Sequence, residues 1–450
     1  MQEKFGNYQS KLKRSTVTAD MKGHSSECEE NSSKKWVLPF WPMTVAFAGY
    51  PIWWLLGLGD LGWPIVAVAM VGLMSKLGKS PVVPKGFGIW LLFLLWSLCS
   101  TIMLDSVGRV AGFFFRYSMY LGATVFFIYV YNAKTKLTEK RVFGALTALW
   151  FIVVLGGFAG LLFPVFELRT VLTYILPNGL LSNELIHEMA FRSLTQFNPD
   201  PNAYVISAPR PSAPFLYANS WGNVYSVLLP TVIAYASMIR GSKLFWWLVV
   251  CIPLSFIPAF LTLNRGMFLG LGVALVYVAL RAILAGNVKV LVSMVGLTLV
   301  GVIAVTSLPV LERLDERTSR VSSVETRENL YIEAFERTLE SPILGYGAPR
   351  PSVNPGAPSV GTQGQFWMVL FSHGFPGAAL FVGWLVWLYI KTCRRTDVVG
   401  IVSNTVVLVT IVEIFYYGIL TTGFVVIMVL SALALREKSQ GDEDSAVIQT

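Results

Sequence analysis

Two copies of one arginine-containing pentapeptide stand out among the residues of this 450-residue chain that could do chemistry. They are Ala208-Pro-Arg-Pro-Ser212 and Ala348-Pro-Arg-Pro-Ser352, and the proline on each side holds Arg210 and Arg350 on extended backbone. Planar guanidinium groups bind phosphate through two parallel hydrogen bonds. The repeat therefore predicts two rigidly presented phosphate-binding groups. The alternative interpretation is a coincidence between two proline-rich loops.

Two further arginines lie between apolar runs. Arg265 occurs in Leu-Asn-Arg-Gly, and the glycine that follows it permits close approach of the backbone. Arg327 lies on a helix that the capping box Ser322-Ser-Val-Glu325 predicts to begin at that point. It precedes Tyr331 by four residues and therefore shares the apolar face of this helix. Arg327 is predicted to face the membrane, either within a binding site or as an arginine that snorkels to the lipid interface.

Other ionisable residues occur inside apolar runs or in polar segments. Arg116 and Glu413 lie inside apolar runs, where a charge needs a partner or a cavity, so they either pair with each other or line one. His187 and the neighbouring Glu188 could offer a general base, whereas His373 in an apolar run is expected to be packed or hydrogen-bonded. The chain has no P-loop, dinucleotide-binding fingerprint or zinc-binding spacing, so we expect no metal or other cofactor.

The composition indicates a membrane protein that must position these residues. Hydrophobic residues make up 54% of the chain and charged residues only 14%, whereas soluble domains have about 25% charged residues. A membrane-spanning helix needs about 20 apolar residues. We therefore predict an all-α polytopic membrane protein with about 12 transmembrane helices. The segments are roughly 40–57, 62–77, 87–104, 110–131, 142–163, 219–239, 244–262, 266–283, 287–307, 365–391, 399–416 and 420–435.

The short loops predict the orientation of these spans. Lys85, Lys134 and Arg240 are among the basic residues of alternate loops, which places those loops and both termini in the cytoplasm. None of the 16 lysines falls in a predicted outer segment. The formal charge of +9 is then a signal of topology, and we predict no nucleic-acid partner.

The same reasoning predicts the domain organisation. Residues 1–38 and 436–450 are predicted to be disordered cytoplasmic tails, and residues 39–435 a single transmembrane domain. Two long outer loops, about 164–218 and 308–364, are predicted to contain short helices. One of these helices runs from Pro309 through Arg320, and the helix that carries Arg327 is predicted to end at Pro342. Gly374-Phe-Pro-Gly377 predicts a kink in the tenth span.

Several short motifs along residues 205–390 resemble the O-antigen ligase and polymerase superfamily, which belongs to the GT-C-type membrane glycosyltransferases. They are Pro214-Phe-Leu-Tyr-Ala-Asn-Ser-Trp-Gly222, Leu263-Asn-Arg-Gly266, Arg327-x-x-Leu-Tyr-x-x-Ala with Ser341-Pro-Ile-Leu-Gly-Tyr-Gly347, and Gly361-Thr-Gln-Gly-Gln-Phe-Trp with Gly374-Phe-Pro-Gly377. Each motif is short, but their order, their spacing and their shared predicted outer side are specific. The twelve-span layout agrees with the family over the rest of the chain.

The resemblance implies a metal-independent glycosyltransferase of the bacterial cytoplasmic (inner) membrane with its active site on the outer face. Such enzymes transfer a glycan from a polyprenyl (undecaprenyl) diphosphate carrier to an acceptor hydroxyl, and two arginines hold the diphosphate. By motif these correspond to Arg265 and Arg327. The expected partners are the lipid-linked glycan donor, a glycan or lipid-glycan acceptor and membrane lipids. Whether the chain is a ligase or a polymerase stays open.

The sequence departs from the family at the proposed base, because the family histidine falls on Gln363. A glutamine can orient a hydroxyl but cannot accept its proton as a base. Either another residue is the base, with His187 and Glu188 as candidates, or stabilisation of the leaving group suffices, or the chain is altered or inactive.

The remaining assignments concern substrate binding. We predict that Arg116, Arg210, Arg350, Asn219, Trp221 and Tyr331 contact the diphosphate or the glycan. The rival hypothesis is a transporter or flippase of an anionic lipid or solute, whose basic residues would look similar. It predicts inverted repeats, and the sequence has no such repeat.

Overall fold

The computed structural model describes residues 37–78, 80–181, 184–198, 207–307 and 323–436. Almost all of the two predicted tails lies outside these residues, as do the helix predicted from Pro309 through Arg320 and the cap residue Ser322. The described residues are mainly helical, with four short strands between the sixth and tenth helices.

The helices are numbered in chain order. They are α1 (Trp41–Met43), α2 (Tyr50–Leu55), α3 (Gly62–Ser75), α4 (Gly88–Cys99), α5 (Val107–Asn132), α6 (Glu139–Leu162), α7 (Leu172–Ile175), α8 (Asn178–Leu181), α9 (Glu184–Ala190), α10 (Ala218–Met238), α11 (Lys243–Leu261), α12 (Arg265–Leu284), α13 (Val288–Ser307), α14 (Ser323–Glu340), α15 (Gln365–Thr392), α16 (Val398–Glu413) and α17 (Thr422–Leu435). A π-helical turn, Thr44–Ala48, lies between α1 and α2, and a 3₁₀ turn, Ser100–Met103, continues α4.

Each of the twelve predicted apolar segments is helical in the structure. The first is broken into α1, the π-helical turn and α2, because a proline stands near the start of both α-helices. Among the described residues, five helices are long and apolar enough to cross a membrane, namely α5, α6, α11, α12 and α15, and five further apolar helices are shorter. The architecture is that of an all-α membrane protein, while the count of twelve spans and the side of the termini stay predictions.

The predicted kink in the tenth span is present in α15 at Gly374, whose φ is 69°. The loop after α14 supplies hydrogen bonds that the helix loses there. Tyr346 N donates to Phe371 O at 2.9 Å, and Phe375 N donates to Pro342 O at 2.9 Å. A Cβ atom at Gly374 would lie 2.4 Å from the carbonyl oxygen of Ile343, so glycine is required for this close approach.

The four strands were not predicted. β1 (Glu167–Arg169) pairs antiparallel with β2 (Phe191–Ser193), and β3 (Thr195–Asn198) pairs antiparallel with β4 (Ser207–Pro211). The segment with β4 lies against α6, where glycines leave room for it. A Cβ atom at Gly156 would lie 2.3 Å from the carbonyl oxygen of Ala213. This packing places the first copy of the repeated pentapeptide close to the bundle.

The long helices pack so that several of their ends meet. α12 contacts α10 and α16, α10 contacts α6, and α14 lies along α15. Asn264 Nδ2, just before α12, donates to Ala218 O at the start of α10 at 2.6 Å. Gln365 N, at the start of α15, donates to Tyr417 O in the α16–α17 turn at 2.8 Å. We call this meeting point of α10, α12, α15 and the α16–α17 turn the Arg265 end of the bundle.

Candidate active site at the Arg265 end

The turn before α12 fixes the position of Arg265, the first residue of that helix. Leu263 adopts a left-handed conformation with φ of 53°, which is uncommon for a residue with a side chain. Its strain is offset by Asn264, whose side-chain amide donates to the carbonyl oxygen of Ala218 and to Thr262 Oγ1 at 3.3 Å. Arg265 itself is exposed. The turn is therefore a rigid support for an exposed guanidinium group.

Arg210, in the first copy of the repeat, is hydrogen-bonded to this turn. Its side chain is buried, with 7% of the residue exposed. Nε donates to Thr262 O at 2.7 Å and Nη2 donates to Asn264 Oδ1 at 2.7 Å. These are short charge-assisted hydrogen bonds, the strong class of such bonds. The contacts connect Arg210 to the backbone that presents Arg265, and its predicted direct contact with substrate stays a prediction.

Arg350, in the second copy of the repeat, has different surroundings. It pairs with Asp105, with 3.3 Å between Nη1 and Oδ2, and Nη2 donates to Met103 O at 3.1 Å. Its guanidinium carbon lies 4.6 Å from the centre of the Tyr346 ring. The two copies therefore share a sequence but not a role in packing, and the diphosphate-binding role of Arg350 stays a prediction.

The segment after Arg350 is tied to α14 through Glu333. Ser352 Oγ donates to Glu333 Oε2 at 2.6 Å, Val353 N donates to Oε1 at 3.0 Å, and Arg337 Nη1 donates to Oε1 at 3.1 Å. Burial opposes the charge of this carboxylate, but the three hydrogen bonds outweigh it and hold the pKa of Glu333 below its usual value. Glu333 thus anchors the segment after Arg350 on α14.

The predicted helix that carries Arg327 and Tyr331 is confirmed as α14. The Tyr331 ring stacks on Trp367 of α15, with 4.7 Å between ring centres and 11° between planes. Burial raises the pKa of the Tyr331 hydroxyl, and the nearby Arg327 guanidinium opposes this. Arg327 is half-buried. The helix therefore presents Arg327 beside an aromatic pair at the start of α15.

Tyr417, in the α16–α17 turn, connects these parts and was missed by the sequence reasoning. A Cβ atom at Gly266 would lie 2.8 Å from both Cζ and the hydroxyl oxygen of Tyr417, so the ring packs on the backbone next to Arg265. Burial raises the pKa of this hydroxyl, and the charges of Arg210 and Arg327 lower it. Both arginines are thus in electrostatic range of one phenol. No motif marks Tyr417, since its neighbours are distant in sequence.

Gln363 lies at the same end, two residues before α15 begins. It is half-buried, and its amide contacts Thr362 Oγ1 at 3.4 Å. Gln365, which is fully buried, donates to the Tyr120 hydroxyl at 2.8 Å and accepts from Ile419 N at 3.2 Å. The start of α15 is therefore fixed to the bundle, and Gln363 is attached to a rigid element.

Arg116 and Glu413 do not pair. Glu413 is fully buried, and its Oε2 accepts from Asn223 Nδ2 at 2.7 Å. Arg116 lines a separate cavity with aromatic residues of α5 and with Ser372 and His373 of α15, and it forms no ion pair with any described residue. The alternative that Arg116 and Glu413 pair with each other is therefore wrong. The predicted contact of Arg116 with substrate stays a prediction.

Three other predicted residues differ in their surroundings. His187 on α9 is exposed and stacks on Phe191, with 4.4 Å between ring centres. Asn219 is half-buried in the first turn of α10. Trp221 is fully buried in the core, where its indole donates to Val153 O at 3.0 Å. In this structure Trp221 is a packing residue without surface for a ligand, although sequence reasoning assigned it to the substrate.

The electrostatics of the Arg265 end suit an anion. Several guanidinium groups surround the start of α12, whose helix dipole places partial positive charge at the same point. Within the described part of the chain, no group of three or more His, Cys, Asp or Glu residues is arranged to hold a metal ion. The arrangement can bind phosphate groups and stabilise negative charge that develops on them.

Comparison with known proteins relates part of this chain to a family. Residues 250–382 match a family model described as O-antigen ligase. The matched segment contains Arg265, Arg327 and Gln363, but neither Arg210 nor Tyr417. No curated protein matches the sequence. The family implies a multi-pass membrane enzyme that ligates or polymerises glycans. Residues 250–382 of this chain are therefore similar to the O-antigen ligase family, as the sequence motifs predicted.

Proposed function

We propose that this protein transfers a glycan from a polyprenyl diphosphate carrier to a sugar hydroxyl at the outer face of the cytoplasmic membrane, as a surface-polysaccharide ligase or polymerase. The observation that carries the proposal is the shared neighbourhood of two arginines. Arg265 begins α12 next to Gly266, and Arg327 lies in electrostatic range of Tyr417, which packs on Gly266. The family match over the same arginines supports a lipid-linked glycan as the donor.

The proposed reaction is a displacement at the anomeric carbon of the donor glycan. The acceptor oxygen forms a bond to this carbon while the bond from the carbon to the carrier diphosphate breaks. The electron pair of the broken bond leaves with the diphosphate, so negative charge grows on its oxygens. Guanidinium groups from Arg265 and Arg327 bind the diphosphate and stabilise that charge, which lowers the barrier without a bound metal.

The proton of the acceptor hydroxyl needs a destination. The Gln363 amide can orient the hydroxyl but cannot take its proton. His187 and Glu188 stay the candidate bases from the sequence, and Glu188 already accepts a hydrogen bond from the Tyr217 hydroxyl at 2.6 Å. Alternatively, stabilisation of the leaving diphosphate supplies most of the rate enhancement, and the proton passes to solvent.

The test is glycan transfer by the full chain in detergent or proteoliposomes, with a defined lipid-linked oligosaccharide as donor. We expect Arg265→Ala and Arg327→Ala each to lower kcat by about 100-fold or more, the usual effect of removing a group that stabilises developing charge. Arg240→Ala is the matched control, since Arg240 is an exposed arginine just beyond the opposite end of α10. Unchanged rates in both arginine variants would refute the assignment, and product length distinguishes ligase from polymerase.

A further inference from the structure

The first turn of α12 is a helix start without a side-chain cap. Asparagine is among the preferred residues at the position before a helix, where its side chain usually accepts from the first backbone N–H groups. Asn264 occupies that position but makes no such bond. Its oxygen accepts from Arg210 and its amide nitrogen donates to Ala218 O. The 20-residue helix therefore begins with backbone donors that its own cap residue does not satisfy.

A buried hydroxyl group points at this same turn. Tyr417 is 3% exposed, and its hydroxyl oxygen forms no hydrogen bond of normal geometry with the described residues. The oxygen lies near the backbone N–H of Met267 and against Gly266, where any side chain would collide with the ring. A buried hydroxyl without a partner is uncommon, since it has lost its hydrogen bonds to water without replacement.

The charges around the turn are mainly positive. Arg265 is its first residue, and Arg210 and Arg327 are both in electrostatic range of the Tyr417 hydroxyl. Glu413, at the end of α16, is the acidic residue in that range, and it is fully buried and hydrogen-bonded to Asn223. Backbone donors at a helix start, an unpaired hydroxyl and converging arginines together form an arrangement that favours phosphate.

We propose that the first turn of α12 and the Tyr417 hydroxyl form a phosphoryl-binding subsite that holds one phosphate of the carrier diphosphate. The proposal rests on the proposed function, in which Arg265 and Arg327 bind the same diphosphate. The backbone N–H of Gly266 and the phenol O–H donate to the phosphate oxygens, while the Met267 N–H lies against the phenol oxygen. These donors are in place before the reaction, so they stabilise the charge that arrives when the glycosyl bond breaks.

The role of Tyr417 can be separated from a structural role by removing its hydroxyl group alone. We expect Tyr417→Phe to keep or raise the thermal stability of the protein, because the lost hydroxyl group has no protein partner. We also expect it to weaken the binding of farnesyl diphosphate and to lower kcat by about 10- to 100-fold, the usual range for one hydrogen bond to a charged group. Lower stability would mean that the hydroxyl has a structural partner, and would overturn the proposal.

Tyr225→Phe is the matched control. Tyr225 is also a fully buried tyrosine, but its hydroxyl is hydrogen-bonded to Ser255 Oγ at 2.6 Å. We expect this variant to lose stability and to bind farnesyl diphosphate like the unmodified protein. If Arg265→Ala and Arg327→Ala lose binding while Tyr417→Phe retains it, the subsite is wrong and the proposed function stands. If all three bind farnesyl diphosphate normally and transfer glycan at the normal rate, both proposals fail.

Discussion

The two copies of the repeated pentapeptide offer an internal comparison of two identical arginines. Arg210 is buried and donates to Thr262 O and Asn264 Oδ1, both at 2.7 Å, in the turn that presents Arg265. Arg350 is partly exposed and pairs with Asp105. We predict that Arg210→Met strongly lowers glycan transfer, whereas Arg350→Met lowers it little.

The contacts give the magnitude of each effect. A hydrogen bond to a charged group contributes about 1.5–3 kcal/mol, and Arg210 makes two such bonds to the turn. Because the two bonds share one turn and the turn relaxes after their loss, we expect a total of about 3 kcal/mol. If the displacement of Arg265 raises the free energy of the transition state by this full amount, kcat/KM falls by about 100-fold. The partly exposed ion pair of Arg350 contributes about 0–1 kcal/mol. The Arg350 hydrogen bond to Met103 O adds to stability, but no described contact of Arg350 reaches the Arg265 turn, so we expect kcat/KM to change by about fivefold or less.

The assay compares kcat/KM for glycan transfer by the two methionine variants and the unmodified protein, with thermal unfolding measured in parallel. Methionine keeps the length of the apolar part of the arginine side chain and lacks the guanidinium group. Equal losses in the two variants would refute the distinction and would favour direct binding of the diphosphate by both arginines. A normal rate for Arg210→Met would refute the role of Arg210 in positioning Arg265.

Three other predictions follow from individual contacts. Gly374→Ala should lower thermal stability sharply, because its Cβ would meet Ile343 O at 2.4 Å, whereas Gly383→Ala in the same helix has only one atom at 4.0 Å and should be neutral. Glu333→Gln should lower stability at neutral pH. Because the folded pKa of Glu333 lies below the unfolded value of 4.5, its contribution is present above pH 4.5 and lost as pH falls further, so the difference in melting temperature between protein and variant should shrink there. Gln363→His should keep or raise the rate of glycan transfer, and a large loss would mean that the glutamine is specifically required.

The sequence alone predicted the features that depend on neighbouring residues. Hydrophobic runs predicted the long apolar helices of the described residues, because a helix in a membrane needs a continuous apolar segment and satisfies its backbone internally. The Gly374 kink and the ends of α14 followed from local signals of glycine, proline and capping residues. Motif resemblance identified Arg265 and Arg327, and the family match covers both residues.

The tertiary structure decided what the individual polar side chains contact. Arg210 and its partner Asn264 are 54 positions apart, so the identical pentapeptides could not reveal that one supports the Arg265 turn and the other pairs with Asp105. Arg116 and Glu413 looked like partners because both are charges within apolar runs, but Glu413 is bonded to Asn223 instead. The position of Tyr417 next to Arg265 results from the packing of the α16–α17 turn on Gly266, which no local sequence signal indicates. The period of a helix identifies its apolar face, but which side chains meet across helices depends on how whole helices pack.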